Sequence, residues 1–174
     1  MCSQTVFRPV HSNRCHMKRA LSLLAFFLFW AAPSNAACRY PDGLEQTAAR
    51  VVALVNEQRV AKGLSTVVLE QRLTSTAQLH ACDSAARNRM DHIGSDGSTL
   101  PDRALASGYP FRNIAENIAA GQLTAEEVVA DWMASPGHRR NILTHGLRDL
   151  GLGQAIAKDG TVHWVLNLAQ PRGS

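Results

Sequence analysis

Apolar residues recur at three- and four-residue steps along two long stretches of the chain. The first stretch runs from Leu44 to Lys62 and stops at Gly63, and the second runs from Thr74 to Met90. This spacing gives a helix one apolar face. The pattern therefore predicts two amphipathic helices joined by a short extended link over residues 64–69. The residues expected to face inward from the second helix are Leu73, Ala77, Ala81 or Cys82, and Ala85.

The middle of the chain alternates between loop and helix signals. Residues 91–102 are polar and rich in glycine, which indicates a loop, and Pro101 begins a short helix that Gly108 ends. Residues 113–119 read as extended. Thr124 then caps a third long helix, because Glu127 stands at the capping-box position three residues later. That helix is predicted to end near residue 134, and Ser135-Pro136 starts another short one.

The end of the chain reads as a β-hairpin. A strand is predicted over residues 147–157 and its partner over residues 161–169. Residues 158–160 connect them and contain the Asp-Gly pair that is typical of hairpin turns. Helices, one extended segment and a terminal hairpin together predict an α+β fold with an antiparallel sheet packed between helices.

The N-terminal segment differs from the rest. Residues 20–32 are apolar and uncharged, Lys18-Arg19 precede them, and small residues surround Ala36. This order predicts a signal peptide over residues 1–36, with Met17 as an alternative start, and a secreted or periplasmic protein. The apolar run is shorter than the about 20 residues of a membrane-spanning helix, so no stable span is expected in the mature protein. An N-terminal membrane anchor is the alternative.

The charge distribution argues against a nucleic-acid partner. The formal net charge is +4, but four of the 18 basic residues precede residue 20, whereas all 14 acidic residues follow it. The mature chain would therefore carry a net charge near zero. A basic surface that could attract nucleic acid is not expected on it.

Cys38 and Cys82 are the cysteines that remain after the predicted cleavage. Two cysteines in an oxidising compartment predict a disulfide between them, and two free thiols are the alternative. Closing a loop of this length would stabilise the fold by about 4 kcal/mol in the chain-entropy model.

Three titratable residues stand in unusual settings. His92 opens the polar loop that follows the second helix, and His138 lies at the start of the short helix after Ser135-Pro136. Glu116 lies in the apolar stretch 114–119, where an isolated charge would be very costly. The carboxylate must therefore be paired, ligated or protonated, and we predict that the three residues converge at a cleft.

The motifs around these residues resemble the ordered signatures of the CAP (SCP-like) superfamily, in particular its bacterial branch. They include residues 92–98, Ala115-Glu116-Asn117-Ile118 and Trp132-Met133-Ala134-Ser135-Pro136-Gly137-His138-Arg139-Arg140-Asn141-Ile142-Leu143. Residues 54–59, 151–153 and 163–167 also look like that family. The resemblance covers residues 50–170 and places one such domain over residues 44–170.

The resemblance implies a three-layer α-β-α sandwich with a cleft. Carried over by motif, the cleft residues are His92, Glu116 and His138, and many members bind a divalent metal, often zinc, through the histidines. Neutral imidazoles suit zinc. Glu116 could bind the metal directly, or it could hydrogen-bond to a histidine that binds the metal and so fix the orientation of that ring. The family's second cleft acid would correspond to Asp96, which could instead shape the turn.

Several functions remain open at this point. The family resemblance favours a non-enzymatic extracellular binding module for a small apolar molecule, a peptide or a cell-envelope component. A metal-dependent hydrolase of peptide or cell-wall bonds is the alternative, although the His-Glu-x-x-His helix is absent from the sequence. A serine hydrolase using Ser95 or Ser98 lacks the usual nucleophile elbow. The three residues could also form only a buried hydrogen-bond network, and His80 and His145 are interpreted as surface or capping residues.

Overall fold

The computed structural model describes residues 38–173. The predicted signal peptide, residues 1–36, lies outside the described residues. The elements in chain order are α1 (Leu44–Val60), β1 (Val68–Leu69), α2 (Gln71–Arg87), α3 (Leu100–Ala106), β2 (Phe111–Ala120), α4 (Ala125–Ala134), α5 (Pro136–Ile142), β3 (Asp149–Ile156) and β4 (Val162–Pro171).

The four strands form one sheet in the order β1-β3-β4-β2. The β3–β4 hairpin and the β2–β4 pair are antiparallel, as the sequence predicts, and the two-residue β1 adds a parallel pairing to β3. The register places Asn167 of β4 opposite both Glu116 of β2 and Gly151 of β3. Because β2 is an edge strand, Glu116 lies near the rim of the sheet.

Helices cover both faces of the sheet, which confirms the α-β-α sandwich. Trp164, Leu166 and Leu168 of β4 point towards the core formed with α1, α4 and α5. The alternate residue Val165 packs against the alanines of α2 on the other face. Because helices cover both faces, β4 is buried over most of its length, including its polar residues His163 and Asn167.

Helix α2 packs unusually close to β3. A Cβ atom added to Gly151 would lie 2.2 Å from the backbone carbon of Leu73, and one added to Gly153 would lie 2.3 Å from that of Ala77. The two glycines therefore allow the helix backbone to rest directly on the strand. This contact fixes the position of α2, and with it the start of the loop that carries His92.

The ends of the helices show how well capping can be predicted. The capping box of Thr124 and Glu127 is present at the start of α4. Helix α3 has a second capping box, between Thr99 and Asp102. The prediction that α2 begins near Thr74 is wrong by three residues, because the Glu70 side chain accepts a hydrogen bond from the Leu73 amide and caps the helix earlier.

The start of the described chain is tied to the domain. Cys38 and Cys82 form a disulfide, which confirms the predicted pairing with α2. The carbonyl of Arg39 accepts a hydrogen bond from the amide of Ile156 at 2.8 Å. Within residues 38–173, no helix has the length and apolar character needed to cross a membrane.

Candidate functional site

Glu116 lies at the centre of the site. Its side chain is only 3% exposed, yet it is surrounded by donors. Oε1 accepts from His92 Nδ1 at 2.9 Å, and Oε2 accepts from Arg103 at 2.8 Å. The amide of Asn167, in the orientation that satisfies both of its ends, donates to Oε2 at 3.2 Å. This set of donors satisfies the hydrogen-bonding capacity that a buried carboxylate would otherwise leave unmet.

Arg103 connects Glu116 to the loop that precedes α3. Besides its ion pair with Glu116, it donates to the carbonyl of His92 at 3.2 Å and to the carbonyl of Ser98 at 2.9 Å. One side chain therefore fixes both the carboxylate and the backbone of the histidine that the carboxylate binds. Sequence reasoning missed Arg103, because a single arginine in a seven-residue helix gives no periodic signal.

His92 is held at one nitrogen and open at the other. Its side chain is 57% exposed, and the bond to Glu116 places a proton on Nδ1. The hydrogen bond that His92 donates to Glu116 raises the pKa of His92, although partial burial opposes this. Nε2 has no hydrogen bond to any residue in the described part of the chain. The ring is thus oriented from behind by a carboxylate and presents its second nitrogen outwards.

His138 approaches from the other helical layer. It lies in the first turn of α5, and its carbonyl accepts a hydrogen bond from Asn117 at 3.1 Å. Asn141, one turn later in α5, donates to Asn117 Oδ1 at 2.8 Å and to the Glu116 carbonyl at 3.2 Å. Burial lowers the pKa of His138, and repulsion from His92 lowers it further. The two asparagines therefore place His138 beside the strand that carries Glu116, within the electrostatic reach of His92.

The interpretation of His80 as a surface or capping residue is wrong. His80 is 1% exposed, its Nε2 donates to the Asp91 carbonyl at 2.8 Å, and the same nitrogen is 3.9 Å from Glu116 Oε1. Burial lowers the pKa of His80, with Glu116 opposing that effect. The position follows from helical spacing, since His80 is three residues from Ala77 and four from Ser84 on the buried face of α2. His145, by contrast, is exposed.

Asp96 does not contact the Glu116 cluster. Its Oδ1 accepts from the Ser98 amide at 2.9 Å, which is the turn-shaping role considered above. A Cβ atom at Gly94 would lie 2.6 Å from the same oxygen, so the loop folds tightly over that glycine.

The donor set allows a test of whether the site suits a divalent metal. Both oxygens of Glu116 already accept hydrogen bonds, so the carboxylate fits as the group that orients His92. The remaining donors are the imidazoles of His92 and His138. Within residues 38–173, no three His, Cys, Asp or Glu side chains are grouped to hold an ion. A cation at this site would therefore have only these two imidazoles as protein ligands, and solvent or a bound ligand would have to fill its other positions.

Comparison with known proteins places most of the chain in one family. The model of the cysteine-rich secretory protein family, CAP, matches residues 52–168. The chain is 32% identical to YkwD of Bacillus subtilis (strain 168) over 123 residues, which is 71% of this chain and 48% of that protein.

Solved structures share the fold. An SCP-domain extracellular protein from Bacillus anthracis str. Ames superposes with a TM-score of 0.65 at 26% identity, covering 75% of this chain and 44% of that one. An outer surface protein from Borrelia burgdorferi gives a TM-score of 0.68 at 18% identity, covering 74% of this chain and 95% of that one. The chain spans about half the length of the two Bacillus proteins.

Proposed function

The chain belongs to the cysteine-rich secretory protein (CAP) family, and we propose that it is an extracytoplasmic binding module whose ligand contacts His92 and His138. The observation that carries this proposal is the pairing of His92 with the buried carboxylate of Glu116 at 2.9 Å. A histidine that is bonded at one ring nitrogen to a buried carboxylate and is more than half exposed can contact a ligand through its other nitrogen, which favours a binding role over a packing role. The ligand class is a small apolar molecule, a peptide or a cell-envelope component.

A divalent cation, zinc first, is proposed to take part in this binding. His92 and His138 would hold it, and Glu116 would fix the His92 ring so that Nε2 faces the ion. A bound zinc ion would supply a Lewis acid that polarises a ligand carbonyl or a water molecule. The same chemistry underlies the alternative function, a hydrolase of peptide or cell-wall bonds.

Calorimetric zinc titration tests the proposal. The wild-type protein is compared with His92→Ala and His138→Ala, and each variant is expected to lose most of the zinc affinity. His145→Ala is the matched control, because His145 is an exposed histidine outside the site. Equal affinities for the wild type and His92→Ala would show that the histidine pair does not bind the metal. Turnover of a labelled peptide library by the zinc-loaded protein would favour the hydrolase, and binding without turnover would favour the module.

Export from the cytoplasm is the second part of the proposal. The Cys38–Cys82 disulfide suits an oxidising compartment. The Bacillus anthracis protein is described as extracellular. N-terminal sequencing of exported material is expected to begin near Ala37. A sequence that still begins at Met1 or Met17 would contradict the signal peptide, although not the cleft.

A further inference from the structure

A pocket separate from the histidine cleft lies on the α2 side of the sheet, between α2, α3 and the loop that joins them. Its volume is about 340 Å³. Known small-molecule sites begin at about 300 Å³, so the pocket suits a ligand of one ring with a short stem. Neither His92, Glu116 nor His138 is among the described residues that line it. His80 and Arg103 do line it, and both also approach Glu116, so they lie between the pocket and the cleft.

The surface of the pocket is mainly apolar, although many of its lining residues are polar. Hydroxyl groups of the lining bond within the chain: that of Thr76 donates to the Arg72 carbonyl at 2.8 Å, and that of Ser107 donates to the Ala104 carbonyl at 2.7 Å. Leu79, which is 71% exposed, adds apolar surface. The part of a ligand that fills the pocket must therefore be largely apolar.

Three charged residues line the pocket, and two of them are neutralised by partners. Arg103 is paired with Glu116 at 2.8 Å, which leaves only the Nε of its guanidinium without a partner in the described chain. Asp83 is paired with Arg87 at 2.6 Å. Asp96, the third, forms no ion pair within residues 38–173. The pocket therefore has a net negative charge, which attracts a cation and repels an anion.

His80 provides a hydrogen-bond acceptor that no described residue uses. Its side chain is 1% exposed, and its Nε2 donates to the Asp91 carbonyl at 2.8 Å, so Nδ1 carries a lone pair. This buried nitrogen has no partner among residues 38–173, although buried polar atoms usually have one. An ammonium group has three N–H donors and no acceptor. The negative charge and the unused acceptor thus favour the same kind of ligand.

We propose that this pocket binds an organic ammonium ion, whose apolar stem packs against Leu79 and whose positive charge complements Asp96. An N–H group of the ion supplies the donor that His80 Nδ1 lacks. A free amine and a lysine side chain of a peptide share this chemistry. The site goes beyond the proposed function, because it needs neither His92 nor a metal.

The test compares three ligands that share one stem and differ in charge: 2-phenylethylammonium, 2-phenylethanol and 3-phenylpropionate. Each is titrated into isotope-labelled protein expressed from the full sequence. We expect the ammonium ion to bind in the millimolar range and to shift the amide resonances of Ser95, Ser98 and Ser107. It should bind about fivefold more tightly than the alcohol, and 3-phenylpropionate should bind more weakly than both. A lysine tripeptide blocked at both ends identifies the source: tighter binding than that of 2-phenylethylammonium supports a peptide ligand, and weaker binding supports a free amine.

Asp96→Asn isolates the charge of the pocket. The asparagine oxygen can still accept from the Ser98 amide, as Asp96 does at 2.9 Å, so the turn is kept. Affinity for the ammonium ion should fall about fivefold, whereas affinity for the alcohol should not change. Asp159→Asn is the matched control, because Asp159 accepts from the Thr161 amide at 2.9 Å in the same kind of turn and does not line the pocket.

Leu79→Ala tests the apolar part of the site. It should weaken the ammonium ion and the alcohol equally, through the loss of apolar contact. Leu123→Ala is its control, since Leu123 is 77% exposed and lies outside the lining. An otherwise unchanged amide spectrum shows that each variant is folded.

Three results would overturn the proposal: no shift of the pocket resonances, equal binding of the alcohol or the carboxylate, or normal ammonium binding by Asp96→Asn. Shifts that cluster at His92 and His138 would also overturn it, because the ligand would then occupy the cleft. His92→Ala should bind the ammonium ion like the wild type. Failure of this pocket is therefore distinguishable from failure of the proposed function.

Discussion

Arg59 and Glu116 are both charged side chains removed from solvent, but they are held in different ways. Arg59, in the last turn of α1, is 0% exposed and donates only to backbone carbonyls: those of Ser65 at 2.9 Å, Ile142 at 2.7 Å and Thr144 at 2.9 Å. Glu116 accepts from side chains, and one of them, His92, reaches solvent. The first charge joins segments of the fold, whereas the second orients a group that faces outwards.

The two side chains differ in whether their bonding partners can still contact other groups. Burial lowers the pKa of Arg59, and repulsion from Arg148 lowers it further. The hydrogen bonds to the three carbonyls are therefore what stabilises the charge of Arg59 in this environment. All the bonds made by Arg59 end in the backbone. The bonds of Glu116 end in His92 and Arg103, whose remaining polar atoms contact a loop or open towards solvent. A buried charge with side-chain partners is thus the better indicator of a binding site.

Arg59→Ala should give the largest effect on stability. The change would remove the donor from three carbonyls, one of them buried and two partly buried, and would empty the space of a fully buried side chain. We expect a loss of about 4 kcal/mol in the free energy of unfolding. Arg50 is the control, because it lies in the same helix and forms an exposed ion pair with Glu126. Arg50→Ala should change stability by less than about 1 kcal/mol. Urea denaturation measures both variants, and equal losses would refute the structural role of Arg59.

Glu116→Gln should give the next largest effect, and on two properties. Arg103, whose side chain is 11% exposed, would remain without its counter-charge, and we expect a loss of about 2 kcal/mol in the free energy of unfolding. Zinc affinity should also fall, because the carboxylate no longer orients His92. Two controls separate the properties. The folded part of an Arg59→Ala sample should bind zinc like the wild type, and Glu126→Gln should change neither the stability nor the zinc affinity. A Glu116→Gln variant that loses stability but binds zinc normally would make Glu116 purely structural.

Arg103→Lys should give a smaller effect that is localised in the loop. A lysine ammonium can still pair with Glu116 but cannot also reach the carbonyls of His92 and Ser98 in the fixed geometry of a guanidinium. We expect a loss of about 1 kcal/mol and faster amide hydrogen exchange over residues 92–98. Arg89→Lys is the control, since Arg89 forms an exposed ion pair with Asp91. Unchanged exchange in the loop would show that Arg103 does not hold it.

The comparison also shows which contacts a sequence can predict. Spacing and capping signals located the helices and the hairpin, because these depend on neighbours within a few residues. A carboxylate in an apolar stretch predicted only that Glu116 is paired, ligated or protonated. Its convergence with His92 was predicted from the places of their motifs, beside apolar core segments. The carbonyl partners of Arg59 lie up to 85 residues away, and no local pattern predicts them. Arg103 was missed for the same reason, whereas the burial of His80 could have been found from the spacing of α2.

The smallest expected effect is a pH dependence of stability caused by His163. Unlike Arg59 and Glu116, this side chain is neutral in its buried position. It is 2% exposed, its Nε2 contacts Asn88 Oδ1 at 3.1 Å, and its Nδ1 has no partner among the described residues. Since the asparagine oxygen accepts, the proton lies on Nε2, and protonating Nδ1 would create a buried donor without an acceptor. Burial accordingly lowers the pKa of His163, with Asp159 partly opposing it.

The sign of the pH dependence follows from this lowered pKa. Above the unfolded-state pKa of about 6.5, His163 is neutral in both the folded and the unfolded state. In that range its protonation does not reduce the stability of the fold. As the pH falls below that value, the unfolded chain binds a proton that the folded protein resists, so stability decreases until the folded-state pKa is reached. His80 behaves in the same direction, so the measurement is the difference between the wild type and His163→Gln in urea midpoints from pH 7 to pH 5. The wild type should lose more stability than the variant as the pH falls, because glutamine can donate to Asn88 without titrating. Parallel curves for the two proteins would show that His163 protonates freely in the folded state.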